Sequence, residues 1–269
     1  MTKFNALQIR KTILDMAFAG STVHIGCAFS IVELLAVLYR QHLRLDVTAP
    51  DSPDRDYLVL SKGHGVMAQY ACLHELGWLS DEDLARYFSN GTRLKGLADA
   101  HVQGIEATTG SLGHGLSVGV GLALGAKLKQ SAQTCYTLVG DGELNEGSIW
   151  EAIMFAAHFK LDNLIVIVDQ NGFQAMGSTD EVMGLGSIEA KFTAFGFDAV
   201  TIDGHDEQAI DRTYADMKNY RNGKPKAIVA KTVKGKGVSF MENDNIWHYT
   251  RLTPENHARA IHEVAFPRN

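Results

Sequence analysis

The stretch from residue 134 to residue 152, TCYTLVGDGELNEGSIWEA, decides the fold class because it joins a strand to a helix through a turn flanked by glycines. Residues 134–142 form a short, β-rich apolar run, which is typical of a parallel strand buried on both faces. Residues 147–159, GSIWEAIMFAAHF, carry the apolar spacing of an amphipathic helix. The sequence therefore predicts a β-turn-α unit with Asp141 at the turn.

The same alternation of apolar runs and helical patterns continues along the chain. Further short strands are predicted at 57–63, 163–172, 198–204 and 226–235. Helical patterns lie at 30–43, 65–78, 115–129 and 206–220, and no Ser-rich or Pro-rich linker divides the chain. This order predicts an α/β fold, a doubly wound and mostly parallel sheet with helices on both faces, as a single domain over residues 1–269.

Composition excludes several classes of partner and site. The formal net charge is −6 and no block of Lys or Arg is present, so we expect neither nucleic acid nor a membrane surface as a partner. The three cysteines are far apart and form no C-x-x-C pair, which indicates neither a disulfide framework nor a zinc site. No signal peptide or transmembrane run is recognisable. We expect a soluble cytoplasmic protein.

The loops after the strands are the expected binding region, because open α/β sheets bind ligands beyond the carboxyl ends of their strands. Asp141 and Asn171, thirty positions apart, each end an apolar strand. A carboxylate and an amide oxygen suit a hard cation such as Mg2+, which also takes phosphate oxygens. Gly142 has no Cβ and lets a phosphate approach the backbone N–H groups at the helix start. The pattern predicts that the acid holds a metal and the metal holds a phosphate.

Six segments of the chain resemble the thiamine diphosphate enzymes, and transketolases in particular. The resemblance covers essentially the whole chain, and its ordered matches make it much more specific than the GDG triplet alone. The segments are HIGCAFSIVELL (24–35), LSKGHG (60–65), GIEATTGSLGHG (104–115), GDGELNEGSIWEA (140–152), DQNGF (169–173) and KTVKGKGVSFMENDNIWH (231–248).

The resemblance implies a thiamine diphosphate site with a divalent metal, Mg2+ by default and Ca2+ or Mn2+ as alternatives. It implies that the metal ligands are Asp141, Asn171 and the carbonyl of Phe173. It also assigns contacts with the diphosphate or the aminopyrimidine to His64, Gly110, Ser111, Leu112 and Gly142.

The resemblance further implies which residues act on the substrate. His24 and His101 would line the space around the thiazolium, and His248 would lie between cofactor and substrate. Imidazoles suit proton transfers to substrate hydroxyls near neutral pH. Glu146 matches a glutamate that links the two active sites of a dimer. Two segments depart from the family: LADAHVQG around His101, where G-H-P is usual, and WHY at 247–249, where H-G is common.

The matched segments correspond to the N-terminal, pyrophosphate-binding part of a transketolase. We therefore expect a catalytic subunit that acts on sugar phosphates only with a C-terminal partner that carries the pyrimidine-binding domain, as an α2β2 heterotetramer. The helix that begins near Glu146, with Ile149, Trp150 and Ile153, is expected to belong partly to the partner interface. Two alternatives remain: an E1α-like subunit of a 2-oxoacid dehydrogenase, and a noncatalytic regulatory subunit that binds the cofactor.

Overall fold

A five-stranded parallel sheet forms the centre of the molecule. The computed structural model describes residues 3–267. The strands are β1 (Tyr57–Leu60), β2 (Cys135–Gly140), β3 (Leu164–Gln170), β4 (Phe173–Gln174), β5 (Gly177–Ser178), β6 (Asp198–Asp203) and β7 (Lys226–Lys231). The sheet has the order β1-β2-β3-β7-β6, and all five of its strands match the predicted apolar runs. The strands β4 and β5 form a separate two-residue antiparallel hairpin.

Eleven α-helices are present in the described residues. They are α1 (Ala6–Ala19), α2 (Ile25–Phe29), α3 (Val32–Val37), α4 (Val66–Leu76), α5 (Asp81–Ala85), α6 (Gly115–Leu128), α7 (Gly147–His158), α8 (Thr179–Met183), α9 (Ile188–Ala194), α10 (Glu207–Asn219) and α11 (Pro254–Ala265). The five helical patterns correspond to α3 with the π-helical turn that follows it, α4, α6, α7 and α10. The terminal helices α1 and α11 were not predicted, and they pack on each other.

The sheet carries one hydrophobic core on each face. Alternate side chains of β3 point in opposite directions, with Ile165 and Ile167 in one core and Leu164 and Val166 in the other. The first core is completed by α1 to α4, α10 and α11, and the second by α6, α7 and α9. Helices on both faces of a parallel sheet confirm the doubly wound fold.

The register of the sheet brings the strand ends level with one another. Gly140 at the end of β2 pairs with Asp169 of β3, and Asp169 pairs with Ala230 of β7. The loops that begin at Asp141 and Asn171 therefore leave the sheet side by side. No helix among residues 3–267 is long and apolar enough to cross a membrane.

Candidate active site

A cleft opens at the carboxyl ends of β1, β2 and β3, where sheets of this type bind ligands. Its lining comes from loops that are distant in sequence and adjacent in the fold. The lining residues include His24, Cys27, Lys62, His64, Leu97, Gly110, Leu112, Asp141, Gly142, Asn171, Phe173 and His248. Most of the residues expected from the sequence therefore line one cavity.

Asp141 is a buried carboxylate at the floor of this cleft. Its Oδ1 accepts a hydrogen bond from the N–H of Gly142 at 2.8 Å, and its Oδ2 accepts one from the N–H of Gly172 at 2.6 Å. Burial, with the nearby Asp169 carboxylate adding to it, raises the pKa of Asp141 to about 7. A divalent cation would supply the positive charge that this carboxylate lacks.

A buried lysine of the cleft, Lys62, is paired with a different carboxylate. Lys62, buried after β1, donates hydrogen bonds to Asp169 Oδ2 and to the carbonyl of Cys27. Asp169 also accepts hydrogen bonds from Ser30 and Thr232, which further stabilise its charged form. Burial alone would raise the Asp169 pKa, but Lys62 and these hydrogen bonds hold it below the ordinary value.

Asn171 and Phe173 lie beside Asp141 on the next loop. Asn171 Nδ2 donates to Asp169 Oδ2 at 2.8 Å, which leaves its Oδ1 as the acceptor side of the amide. That Oδ1 accepts the Phe173 N–H at 3.0 Å and closes a tight turn. A carboxylate, an amide oxygen and a backbone carbonyl are hard oxygen donors, so the residues present fit an Mg2+ ion bound to a diphosphate.

Glu143 ties three loops of the site together, a function that sequence reasoning missed. Its buried Oε1 accepts hydrogen bonds from the Ser61 hydroxyl and from the N–H of Gly113. Its Oε2 accepts the N–H of Gly140 at 3.1 Å. The carboxylate thus joins the ends of β1 and β2 to the glycine-rich loop before α6.

The glycine-rich loop 110–115 forms one wall of the cleft. Gly110 and Leu112 line the cavity, whereas Ser111 on the same turn is exposed. A Cβ on Gly110 would lie 2.7 Å from the side chain of Leu97, and a Cβ on Gly142 would lie 2.7 Å from Gln174. A side chain at either position would therefore have to displace a neighbouring residue of the cleft wall.

Three histidines converge at the mouth of the cleft. The ring centroids of His24 and His64 are 5.3 Å apart, those of His24 and His248 are 5.5 Å apart, and those of His64 and His248 are 5.7 Å apart. Burial, followed by the positive charges of nearby lysines, lowers the pKa of all three imidazoles, that of His248 to about 3. The cluster is therefore neutral at physiological pH, so each ring carries one N–H donor and one nitrogen acceptor.

His101 does not join this cluster. Its side chain is 92% exposed, and its Nδ1 lies 2.8 Å from Asp99 on the outer loop. The residue of that segment that lines the cleft is Leu97, four positions earlier. The placement gives no support to the role expected for His101, because the short loop before Thr109 carries Leu97 inward and His101 outward.

Glu146 also lies outside the cleft. It is the N-cap residue of α7 and its side chain is exposed. A function that links two active sites would need another chain over this position. The three apolar residues of α7 that were expected at the partner interface lie within this chain: Ile149 and Ile153 are fully buried in its core, and Trp150 packs on Phe195. The apolar side chains of α7 that are exposed are Met154 and Phe155.

The sequence offered only partial signals for the residues that were missed. Lys62 and Asp169 lie inside the matched segments LSKGHG and DQNGF, but their pairing depends on a contact between β1 and β3 loops. Lys234 is likewise part of KTVKGKG and is fully buried. Nothing in the local pattern distinguishes Glu143 from an ordinary acid in the first turn of a helix.

Comparison with known proteins gives a consistent family signal. Residues 2–267 match the family described as transketolase, thiamine diphosphate binding domain. The chain is 41% identical over 256 residues to one of the subunits of the apulose-4-phosphate transketolase of Phocaeicola vulgatus, covering 95% of this chain and 91% of that protein. It is 42% identical over 257 residues to the 6-deoxy-6-sulfo-D-fructose transketolase subunit SqwG of a Clostridium species, covering 95% and 93% respectively.

Solved structures show the same fold inside longer chains. The transketolase of Campylobacter jejuni superposes with a TM-score of 0.92 at 32% identity, covering 98% of this chain and 42% of that one. The transketolase of Leishmania mexicana gives a TM-score of 0.91 at 32% identity, covering 97% and 40%. This chain thus spans less than half the length of these solved relatives, and nearly the whole length of the two subunits above.

Proposed function

Because this chain belongs to the transketolase family, in its thiamine diphosphate binding domain, we propose that it is the N-terminal subunit of a two-subunit transketolase. With its partner it transfers a two-carbon ketol unit from a ketose phosphate to an aldose phosphate. The observation that carries this proposal is the cleft itself, in which the buried Asp141, with no ion-pair partner among residues 3–267, shares the lining with three neutral histidines.

The cofactor end of the cleft fits a metal-bound diphosphate. Asp141, Asn171 and the carbonyl of Phe173 supply oxygen ligands for Mg2+, and Ca2+ or Mn2+ could replace it. Gly142 and His64 flank the space where phosphate oxygens would lie. Gly110, Ser111 and Leu112 would meet the aminopyrimidine from one side.

The histidines at the substrate end of the cleft suit proton transfer to and from a substrate. When bound, thiamine diphosphate supplies the nucleophilic carbon and the electron sink that carbon–carbon cleavage requires. His24 and His64 can each accept a hydrogen bond or a proton at one ring nitrogen and donate at the other, whereas His248 has its Nδ1 2.7 Å from Lys234 Nζ and offers its Nε2 to a ligand. His24 adopts a left-handed backbone conformation with φ of 69°, a strained geometry that is found often at functional sites. These residues would orient the substrate hydroxyls and exchange protons with them.

The substrate is proposed as a ketose phosphate or a related ketose with an anionic tail. Two relatives are named for apulose 4-phosphate and for 6-deoxy-6-sulfo-D-fructose. An apolar side chain, Leu97, lines the cleft of this chain beside His24. The comparison supports a specialised ketose as a candidate donor beside the pentose phosphates.

A partner chain is proposed to cover the exposed apolar surface around the cleft and on two helices. Met176 (86% exposed) lines the cleft, the ring of the exposed Tyr249 lies 5.7 Å from the ring of His24, and Phe155 and Met154 project outward from α7. Further exposed apolar residues are Val118 and Leu128 of α6 and Phe159 after α7. Surface of this kind is typical of obligate interfaces. The partner would bring the pyrimidine-binding domain, in an α2β2 heterotetramer.

The direct test is reconstitution with the partner subunit. The purified pair, supplied with thiamine diphosphate and Mg2+, should transfer ketol units among a panel of pentose, branched and sulfonated ketose substrates without release of CO2. Decarboxylation of 2-oxoacids without any ketol transfer would instead favour the E1α-like alternative. Turnover by the chain alone, shown by mass spectrometry to be free of partner, would contradict the two-subunit proposal.

A further inference from the structure

Lys234 contacts the Nδ1 atom of His248, whose ring lines the cleft. Its Nζ is 2.7 Å from His248 Nδ1 and donates a hydrogen bond to Asn245 Oδ1 at 2.8 Å. Lys234 itself is fully buried and does not line the cleft. Its influence on a ligand in the cleft would therefore pass through the ring of His248.

The chemistry of this contact decides the position of the proton on the ring. An ammonium group has only donors, so the Nδ1 that faces it must be the unprotonated nitrogen. The single ring proton of neutral His248 then lies on Nε2, on the opposite side of the ring. Among residues 3–267, no protein acceptor is within hydrogen-bond distance of Nε2, which leaves that N–H free for a ligand in the cleft.

The surroundings of Lys234 fix the position of its amine. Its methylene chain passes over Gly26, where a Cβ would lie 3.1 Å from Lys234 Cγ. Burial, with the positive charge of Lys62 adding to it, lowers the pKa of Lys234 below its ordinary value, and Cys27 and the carboxylates of Asp141 and Asp169 oppose that shift. The ring of Phe173 lies 5.6 Å from the ammonium nitrogen. The amine thus has two acceptors within hydrogen-bond distance, the Nδ1 of His248 and the Oδ1 of Asn245.

The loop that carries Lys234 is held by a buried charged cluster that sequence analysis did not identify. His205 Nε2 accepts the N–H of Val233 at 2.8 Å, and His205 Nδ1 lies 2.9 Å from Glu33 Oε2. Arg10 forms a two-point ion pair with Glu33 and donates from Nε to the carbonyl of Lys236 at 2.7 Å. The cluster therefore hydrogen-bonds to the backbone on both sides of Lys234, at Val233 and at Lys236.

We propose that Lys234 is a positioning residue that holds His248 in the Nε2–H tautomer, so that the ring presents a donor to the substrate or cofactor in the cleft. The effect on catalysis rests on the proposed transketolase function, whereas the tautomer is a property of this chain alone. The cluster of Arg10, Glu33 and His205 holds the loop so that the Lys234 amine stays within hydrogen-bond distance of Nδ1.

The test compares three lysine variants. Lys234→Met removes the donor and keeps the length, Lys234→Arg restores a donor, and Lys231→Met is the matched control because Lys231 is exposed at the end of β7. Solid-state 15N NMR of the full chain labelled on its eleven histidines, with unlabelled partner bound, reports which nitrogen of each ring is protonated. The His248 signals are identified by their loss in His248→Gln.

The expected result is a single Nε2–H form of His248 in the unaltered protein and in Lys231→Met. A mixture of both tautomers should appear in Lys234→Met, and Lys234→Arg should return the signal to Nε2–H. In the reconstituted enzyme, kcat of Lys234→Met should fall on the order of tenfold to hundredfold because the donor is misoriented, with a smaller change in KM. An Nδ1–H form in the unaltered protein, or an unchanged tautomer in Lys234→Met, would overturn the proposal whether or not the complex shows ketol transfer.

Discussion

Asp141 is the residue on which the proposed metal and cofactor site depends. Its carboxylate is buried, and the buried Lys62 nearby is bonded to Asp169 instead. Asp141→Ala should weaken Mg2+-dependent thiamine diphosphate binding by at least roughly tenfold, since a lost charged contact costs on the order of 1.5–3 kcal/mol. Isothermal titration calorimetry with the partner present measures this affinity.

The matched control for Asp141 is another aspartate at a strand end. Asp203 ends β6 and is exposed, and within residues 3–267 its carboxylate accepts a hydrogen bond from the N–H of His205 alone. Asp203→Ala should leave the cofactor affinity within about twofold, because surface substitutions rarely change more than about 0.5 kcal/mol. Equal affinities in Asp141→Ala and the unaltered protein would contradict the metal assignment.

His24 and His101 provide a second comparison between single residues. The two were expected to share one function, but His24 lines the cleft and His101 is almost fully exposed. His24→Ala should lower kcat on the order of 100-fold, the usual size of a lost proton-transfer group. His101→Ala should stay within about twofold in the same coupled assay. A large loss in His101→Ala would mean that the partner chain brings this residue into the site.

Helix α6 shows how close packing determines which glycines are required. The glycines of this segment do not fit a dinucleotide-binding spacing, and close helix packing is the interpretation that the sequence favours. In the structure a Cβ on Gly119 would lie 2.0 Å from the Thr137 hydroxyl of β2, whereas a Cβ on Gly121 would meet no atom within 4 Å. The face of α6 that carries Gly119 therefore packs closely on the sheet, whereas the face that carries Gly121 does not.

Two alanine substitutions in α6 should have opposite effects on stability. Gly119→Ala should lower the free energy of unfolding by about 1–3 kcal/mol because the core is overpacked. Gly121→Ala should raise it by about 0.5–1 kcal/mol, since alanine loses less backbone entropy in a helix. Urea unfolding of the isolated chain, followed by circular dichroism, measures both values. The same sign for the two variants would contradict the packing argument.

The ion pair between α1 and α3 should make stability depend on pH in a defined window. Burial alone would raise the pKa of Glu33, but Arg10 and the His205 hydrogen bond lower it to about 2, below the ordinary 4.5. A lowered pKa means that the carboxylate stabilises the fold fully above pH 4.5, and that this contribution is lost as pH falls towards 2.

Glu33→Gln tests this window. At pH 7 the variant should lose about 3–5 kcal/mol of unfolding free energy, because Arg10 is left buried without its counter-charge. The difference from the unaltered protein should shrink as unfolding is repeated at lower pH between about 4.5 and 2. Glu82→Gln, on a surface pair that is 80% exposed on the glutamate side, should show no comparable loss at any of these pH values.

At the scale of the whole molecule, the exposed apolar surface predicts where the partner binds. The rings of Phe155 and Phe159 lie 4.3 Å apart on the outer side of α7. Phe155→Glu should weaken association with the partner by at least roughly tenfold, because a charge would be buried in an apolar interface. Tyr220→Glu, at an exposed aromatic residue after α10, is the control and should assemble normally. Sedimentation velocity distinguishes assembled from free subunits, and normal assembly of Phe155→Glu would place the interface elsewhere.

Much of the fold followed from local patterns in the sequence. The five central strands are apolar on both sides, and such runs have few stable environments except the interior of a parallel sheet. The strand-end positions of Asp141 and Asn171 then follow from the common direction of parallel strands. For the same reason the sequence could predict that the two residues share one cleft, whereas the placement of His24, His64 and His248 there was implied by the family resemblance.

The pairings within the site were decided only by tertiary structure. Whether His101 or Leu97 faces the cleft depends on how a loop of irregular backbone packs, and such a loop has no repeating pattern to indicate which side is buried. The contacts Lys62–Asp169 and Lys234–His248 join side chains whose distance is determined by the sheet order and by the space above Gly26. Sequence specifies which chemical groups are available near the strand ends, whereas the packing of the chain specifies which of them meet, because contact energies depend on distances between atoms that are remote in sequence.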